Sequence, residues 1–168
     1  MANTETTAEL FEMAIAAEKA AEELYFGFEE RFAHHQDVVA FWRKYAEEEV
    51  GHARWLEGVR DRSSPEQLSA PADPSILKDA RKFLRFSPQR ALEGVTNLED
   101  AYQLANELEN SEINVVFEFI ITNFSADESA GSFLRAQLKD HIARLMTEFP
   151  ARFSHSASRQ AVKVLAQT

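Results

Sequence analysis

Apolar residues recur at every third or fourth position along most of this chain, rather than at every second one. That spacing is the period of a helix buried along one face, and it predicts an all-helical protein. Glycine and proline, five of each, cluster between the periodic stretches. The pattern predicts long helices at about residues 6–31, 37–60 and 97–123, and a fourth that begins at Ser125 and is stopped by Pro150.

Polar residues that favour helix starts mark several of these boundaries. Asp37 and Asn97 are predicted to cap the second and third helices. Ser125 and Glu128 have the spacing of a capping box at the start of the fourth. Shorter helices are predicted near residues 75–86 and about 156–166.

The lengths of the connections predict the topology. About five residues join the first helix to the second and the third to the fourth, and short links make antiparallel neighbours. The long connection, at about residues 61–96, can cross the length of a bundle. We therefore expect one domain over residues 1–168, with a four-helix core at about 6–148. Two antiparallel hairpins joined by a crossover, followed by a short C-terminal helix, make a ferritin-like bundle.

Charged and polar residues interrupt the apolar faces of all four long helices. At three- and four-residue spacing, their side chains point the same way as the core. They comprise four carboxylates and two imidazoles, with no lysine or arginine on the same faces: Glu18, Glu49, His52, Glu109, Glu112 and His141.

Burying four unpaired carboxylates would cost several kcal/mol for each ion. Two divalent cations would balance them, and a Glu and His ligand set suits iron, manganese or zinc. Three alternatives to a metal stay open: protonated carboxylates, a glutamate at the edge of a buried face, and a core histidine held by hydrogen bonds. The coincidence across four helices favours a metal site.

Charge and cysteine content narrow the classes of partner and chemistry. The chain has 28 acidic and 18 basic residues and a net charge of -10, which argues against nucleic acid and anionic membranes. The lack of cysteine excludes disulfides, thiol catalysis and iron–sulfur clusters. The start has no pattern of a secretory signal and no apolar run suits a membrane span, so we expect a cytoplasmic protein.

Three segments resemble the rubrerythrin family of ferritin-like diiron proteins: AIAAEKAAEELY, EEEVGH and ANELENSEINVVFEF, within about residues 8–148. The resemblance implies two irons per chain, with manganese or zinc as alternatives. It assigns ligands to one Glu on the first helix, a Glu-x-x-His on the second and a Glu-x-x-Glu on the third. These positions hold Glu18, then Glu49 and His52, then Glu109 and Glu112.

The fourth helix departs from the family pattern. The family has a second Glu-x-x-His there, whose Glu bridges the metals, but here Leu138 stands in place of that Glu while His141 is kept. Asp140 points about 100° away and is a poor substitute. We therefore expect partial metal occupancy and slow chemistry. Without the four cysteines of a rubredoxin-like iron centre, the protein would need an external electron donor.

The resemblance also implies an activity, a diiron oxidoreductase of the peroxidase or ferroxidase type. Glu49 would bridge two ions, with Glu18 and His52 on one, and Glu109 and His141 on the other. Glu112 would move on and off the metal. Three tyrosines on the same faces would either hydrogen-bond the carboxylates or only pack beside them: Tyr25, Tyr45 and Tyr102.

Two other functions compete with this one. The protein could be a structural or association bundle with a weak or empty metal site, or another carboxylate-bundle enzyme such as a hydroxylase. An outer apolar arc on the third helix, formed by Ile113, Phe117, Ile120, Ile121 and Phe124, could meet the crossover or a second subunit, and we expect a homodimer. Glu47 and Glu48 are interpreted as solvated residues.

Overall fold

The computed structural model describes residues 5–111 and 113–150, and within these ranges the chain forms eight helices. Their bounds are α1 Thr7–Arg31, α2 Gln36–Arg62, α3 Pro65–Ser69, α4 Pro74–Phe83, α5 Pro88–Glu93, α6 Leu98–Glu109, α7 Ile113–Phe124 and α8 Glu128–Thr147. The same residues contain no strand, only an isolated bridge between Thr6 and Pro71. The all-helical class is confirmed, while the C-terminal helix predicted at 156–166 lies outside the described residues.

The bundle has two halves joined by the crossover. The long helices α1 and α2 pack against each other as one hairpin, and α6, α7 and α8 form the other half. The short helices α3, α4 and α5 lie in the crossover, where α4 packs against both α1 and α7, and α5 packs against α1. The predicted bundle is confirmed. No helix of the described residues is both long enough and apolar enough to cross a membrane.

Side-chain caps fix where several helices begin. Thr6 and Glu9 form a capping box at the start of α1, and Asn97 caps α6 as predicted, accepting from the Asp100 N–H at 2.9 Å. Backbone hydrogen bonds also tie the chain before α1 to the crossover, with Thr7 N donating to Ala70 O at 2.9 Å. These contacts set the register of α1 against its neighbours.

Two predicted caps are wrong. Asp37 lies in the first turn of α2, whose cap position is His35. At α8 the cap is Asp127, which accepts from the Ala130 N–H at 2.7 Å, while the Ser125 hydroxyl is buried without a hydrogen-bond partner among the described atoms. A charged carboxylate is the stronger acceptor for a helix N-terminus, so the start moves toward Asp127.

The predicted third helix is not continuous. It ends at Glu109 and resumes at Ile113, so α6 and α7 are separate helices. Polar side chains compete with the backbone there: Asn110 Nδ2 donates to Asn106 O at 2.8 Å, and Asn114 Nδ2 donates to Glu109 O. Such local bonds take up carbonyls that a continuous helix would use. The break lies at the predicted ligand pair, and Glu112 itself is outside the described residues.

Two separate apolar clusters form the core. The first is built around the aromatic side chains Tyr25, Phe28, Trp42 and Tyr45, with α6 residues such as Tyr102 and Ala105 and the α8 residue Leu145. The second contains Phe11, Leu56, Phe117, Ile120, Ile121 and Leu134, with Leu77 and Ala80 from the crossover helix α4. Between them lies the layer of polar side chains that interrupts the apolar faces.

Three residues of the outer apolar arc of the third helix are covered within the chain. Phe117, Ile120 and Ile121 are almost completely buried, in the cluster that includes Leu77 and Ala80 of the crossover. The sequence left two possible partners for this arc, the crossover and a second subunit. In the structure these three residues pack against the crossover. The homodimer stays a prediction, but this arc no longer supports it.

Candidate metal centre

Five of the six predicted ligand residues meet in the middle of the bundle. They come from four helices, and each is at most 7% exposed: Glu18, Glu49, His52, Glu109 and His141. The structure therefore brings together side chains that lie more than a hundred residues apart in sequence. Glu112 cannot be placed with them, because it lies outside the described residues.

The first group joins α1 to α2. Ligand atoms of Glu18, Glu49 and His52 all lie within 4.8 Å of one another. His52 Nδ1 is 2.9 Å from Glu49 Oε2 and 3.5 Å from Glu18 Oε2. Two carboxylates and one imidazole at this spacing can hold one divalent cation.

The second group joins α2 to α6 and α8. Glu49, Glu109 and His141 also offer atoms within 4.8 Å of one another, and His141 Nε2 is 3.0 Å from both Glu49 Oε1 and Glu109 Oε1. Glu49 belongs to both groups, facing one histidine with each of its oxygens. A carboxylate placed in this way can bridge two cations.

The three predicted tyrosines differ in what they contact. The Tyr25 hydroxyl donates to Glu109 Oε1, so this side chain holds a ligand carboxylate. The Tyr45 hydroxyl donates to the backbone carbonyl of His141 and its ring lies on the His141 ring, with centroids 4.2 Å apart. Tyr102 packs against Phe149 in the first apolar cluster.

Glu48 is a site residue that sequence reasoning missed. It was interpreted as solvated, yet it is half-buried, and its Oε2 lies 2.5 Å from His141 Nδ1 and also accepts from Arg144. A carboxylate on the far nitrogen of a histidine fixes the ring and directs its other nitrogen at a metal. The only signal in the sequence was its position next to Glu49, on the edge of the buried face of α2.

The geometry at His141 tests whether the residues fit a cation. With Nδ1 held by Glu48, Nε2 is the atom that faces the other carboxylates. It is buried between Glu49 and Glu109 but makes no well-directed hydrogen bond with either. One nitrogen and two carboxylate oxygens thus face one another, and a divalent cation between these three groups could bind all of them. The donor set therefore fits a divalent metal ion.

Charge within the cluster shifts the pKa of several groups. Burial, and then the charge of Glu49, raise the pKa of Glu18 to about 8. Burial alone would lower the pKa of His52, but its contacts with Glu18 and Glu49 raise it to about 10. In the same way the pKa of His141 rises against burial to about 12, chiefly through the charge of Glu109. Protons thus balance the buried carboxylates when no metal is bound.

Metal loading should release protons. At pH 7 the metal-free cluster holds one on Glu18 and an extra one on each of His52 and His141, and all three must leave when these atoms bind metal. Filling both groups should therefore release about three protons per chain, and apparent affinity should rise between about pH 6 and 8, because protons compete for the free form. Zinc titration in weak buffer with a pH indicator measures this directly. Binding without proton release would contradict the raised pKa values of these three groups.

Removing the support of His141 should weaken binding at one half of the cluster. In Glu48→Ala the imidazole loses the acceptor that orients it, and metal affinity should fall by about 10- to 100-fold. Glu47→Ala is the matched control, since its side chain is the exposed neighbour on the same helix. Competition with a chromophoric chelator gives both affinities. Equal affinities in the two variants would show that Glu48 has no part in the site.

A small cavity adjoins the ligands. It has room for about one water molecule, with a volume of about 20 Å³. Glu18, Glu49, His52 and Glu109 face it, and apolar side chains complete much of its wall, among them Phe83, Leu108 and Leu138. Leu138 thus presents a hydrocarbon surface to the cavity beside these four residues.

Comparison with models of known protein families gives a match over most of the chain. A family model described as Rubrerythrin matches residues 9–133. No curated protein and no solved structure gave a significant match. The matched region contains Glu18, Glu49, His52 and Glu109 but ends before Leu138 and His141, so the place of α8 in the cluster rests on the contacts of His141 with Glu48, Glu49 and Glu109.

Proposed function

The chain belongs to the rubrerythrin family, and from this premise we propose that it binds two iron ions in its buried cluster and serves peroxide- or oxygen-linked redox chemistry or iron handling. The observation that carries the proposal is the sharing of Glu49 between two ligand groups. One group alone would favour a single structural ion. Two groups with a common carboxylate favour a pair of ions held close together.

Each half of the cluster has its own set of residues. Glu18 and His52 would hold one ion, Glu109 and His141 the other, and Glu49 would lie between them. Glu112, on the resemblance to the family, would be a further ligand. Manganese or zinc suits the same oxygen and nitrogen donors, and the choice of metal is decided by availability as well as by geometry.

Iron would supply one-electron redox chemistry toward peroxide or oxygen. The protein holds the ligands in place, and burial keeps bulk water away from them. Tyr25 keeps its proton, because burial and the charge of Glu109 raise its pKa well above the ordinary value, and so it remains a donor to Glu109. Since the chain contains no cysteine, electrons would come from a donor outside these 168 residues.

Metal analysis tests the proposal most directly. Protein purified without chelator should contain iron, and metal-free protein loaded anaerobically with ferrous ion should take up between one and two ions per chain, because there are two ligand groups to fill. Addition of peroxide should then oxidise the bound iron, which absorbance in the near ultraviolet follows. Failure to bind iron, manganese or zinc would refute the proposal and favour an association role for the bundle.

A further inference from the structure

A groove runs along the surface between α2 and α8, on the side of the bundle where His52 lies. Its volume is about 620 Å³. Residues one or two turns apart on each helix form its walls, including Lys44, Gly51 and Trp55 on α2 and Phe133 and Gln137 on α8. The groove is open to solvent, since Lys44, Gly51 and Gln137 are all exposed.

The inner wall of this groove is shared with the ligand cluster. His52 lines both the groove and the small internal cavity. Glu48, which holds His141, lines the groove as well. Two residues that contact the cluster thus line a groove that is open to solvent.

The groove combines an apolar wall, which includes Trp55 and Phe133, with charged groups that reach toward the cluster. Among these groups, Glu48 and Asp140 are both paired to Arg144. On the other side of the cavity, the described wall includes Phe83 and Leu108. A cation that leaves water must exchange its water shell for other polar groups, and hydrocarbon surfaces offer none.

Gly51 is an unexpected residue in the middle of a 27-residue helix, because glycine destabilises a helix interior. The structure shows no local need for it. A Cβ at this position would meet nothing within 4 Å, and none of the described glycines has a positive φ. What a side chain would do at Gly51 is fill the groove next to His52.

We propose that the groove between α2 and α8 is the route by which divalent cations reach the buried ligands, that His52 is the first ligand they meet, and that Gly51 keeps the route open. This inference rests on the proposed metal site. It adds the direction from which the site is filled, which the ligand geometry alone does not give.

Zinc exchange in four variants tests the route without any measurement of activity. Gly51→Trp should slow zinc uptake, and zinc release to a chromophoric chelator, by about tenfold each, with zinc per chain and affinity unchanged. A barrier on the route slows both directions equally, whereas damage to the ligands would change the affinity. Gly51→Ala adds too little volume to block the groove and should exchange zinc at the wild-type rate.

Gly58→Trp is the matched control. Gly58 lies two turns farther along the same helix, outside the groove, where a Cβ would meet only the flexible end of Arg62. It should leave both rates unchanged. Phe83→Ala removes a side chain from the wall of the internal cavity and tests for a route on that side.

The possible results separate the route from the metal site itself. If the wild-type protein takes up no zinc, iron or manganese, both the proposed metal site and the proposed route are refuted. If zinc binds normally and Gly51→Trp exchanges it as fast as Gly58→Trp does, only the route is wrong. Faster exchange in Phe83→Ala, with no effect at Gly51, would place the route on the opposite side of the cluster.

Discussion

Glu49→Gln should empty both halves of the metal cluster at once. Each oxygen of Glu49 faces a different histidine, so replacing it with a neutral amide removes an anionic ligand from both groups. The loss of metal affinity should exceed that in Glu48→Ala, which removes only a side chain that supports His141. We expect the metal affinity of Glu49→Gln to fall by more than about 100-fold. Metal per chain after loading and desalting, measured by emission spectrometry, should approach zero.

Two further variants make this result specific. Glu18→Gln touches only the group on α1 and α2, so it should cost about half of the bound metal and leave the group around His141 filled. Glu47→Gln removes one charge from the exposed face of α2 and should bind as the wild type does. If Glu49→Gln lost no more metal than Glu18→Gln, Glu49 would not be shared and two ions would not lie side by side.

Leu138→Glu should have the opposite effect and raise metal occupancy toward two ions per chain. Leu138 lines the internal cavity and stands three residues before His141, so a carboxylate there would face the cluster with the spacing of the family's fourth-helix motif. The added ligand should also speed oxidation of bound ferrous ion by peroxide. Stopped-flow absorbance and metal analysis measure the two effects.

The same substitution should destabilise the metal-free protein. A further carboxylate in a cluster that already lacks cations costs about 1–3 kcal/mol when no metal balances it. The melting temperature of Leu138→Glu should therefore be lower than that of the wild type without metal and higher with metal. Gln137→Glu adds the same charge on the same helix, but residue 137 lines the groove. This variant should have the wild-type melting temperature both without and with metal. Two tightly bound irons in the wild type, unchanged in Leu138→Glu, would mean that another residue completes the site.

The sequence was sufficient to find five of the buried residues that could bind metal, because each is a charged or polar residue at a position where helical spacing demands an apolar one. Glu18 is an example, since Phe11, Ala14 and Tyr25 on the same face all lie in the core. The bundle topology could be predicted from the lengths of the connections between helices. Both the residue spacing and these lengths can be read from the sequence without knowledge of contacts between helices.

Other features depend on contacts between helices, which spacing does not contain. The spacing of Glu48 along α2 led to its interpretation as a surface residue. The packing of α8 places His141 and Arg144 in contact with it. The apolar arc with Phe117 was visibly too broad for one buried face, but only the position of α4 shows what covers it. The break after Glu109 arises from competition between asparagine side chains and backbone carbonyls, in a stretch whose apolar periodicity continues across it.

The division of the core into two apolar clusters has a consequence for cooperativity. Side chains from α6 enter only the first cluster and those from α7 enter the second, while α1, α2 and α8 contribute to both. The layer between them contains the polar contacts among Glu and His side chains. Without metal the two ends of the bundle can therefore open as partly independent units. Cations bound in the middle would join them into a single unfolding transition.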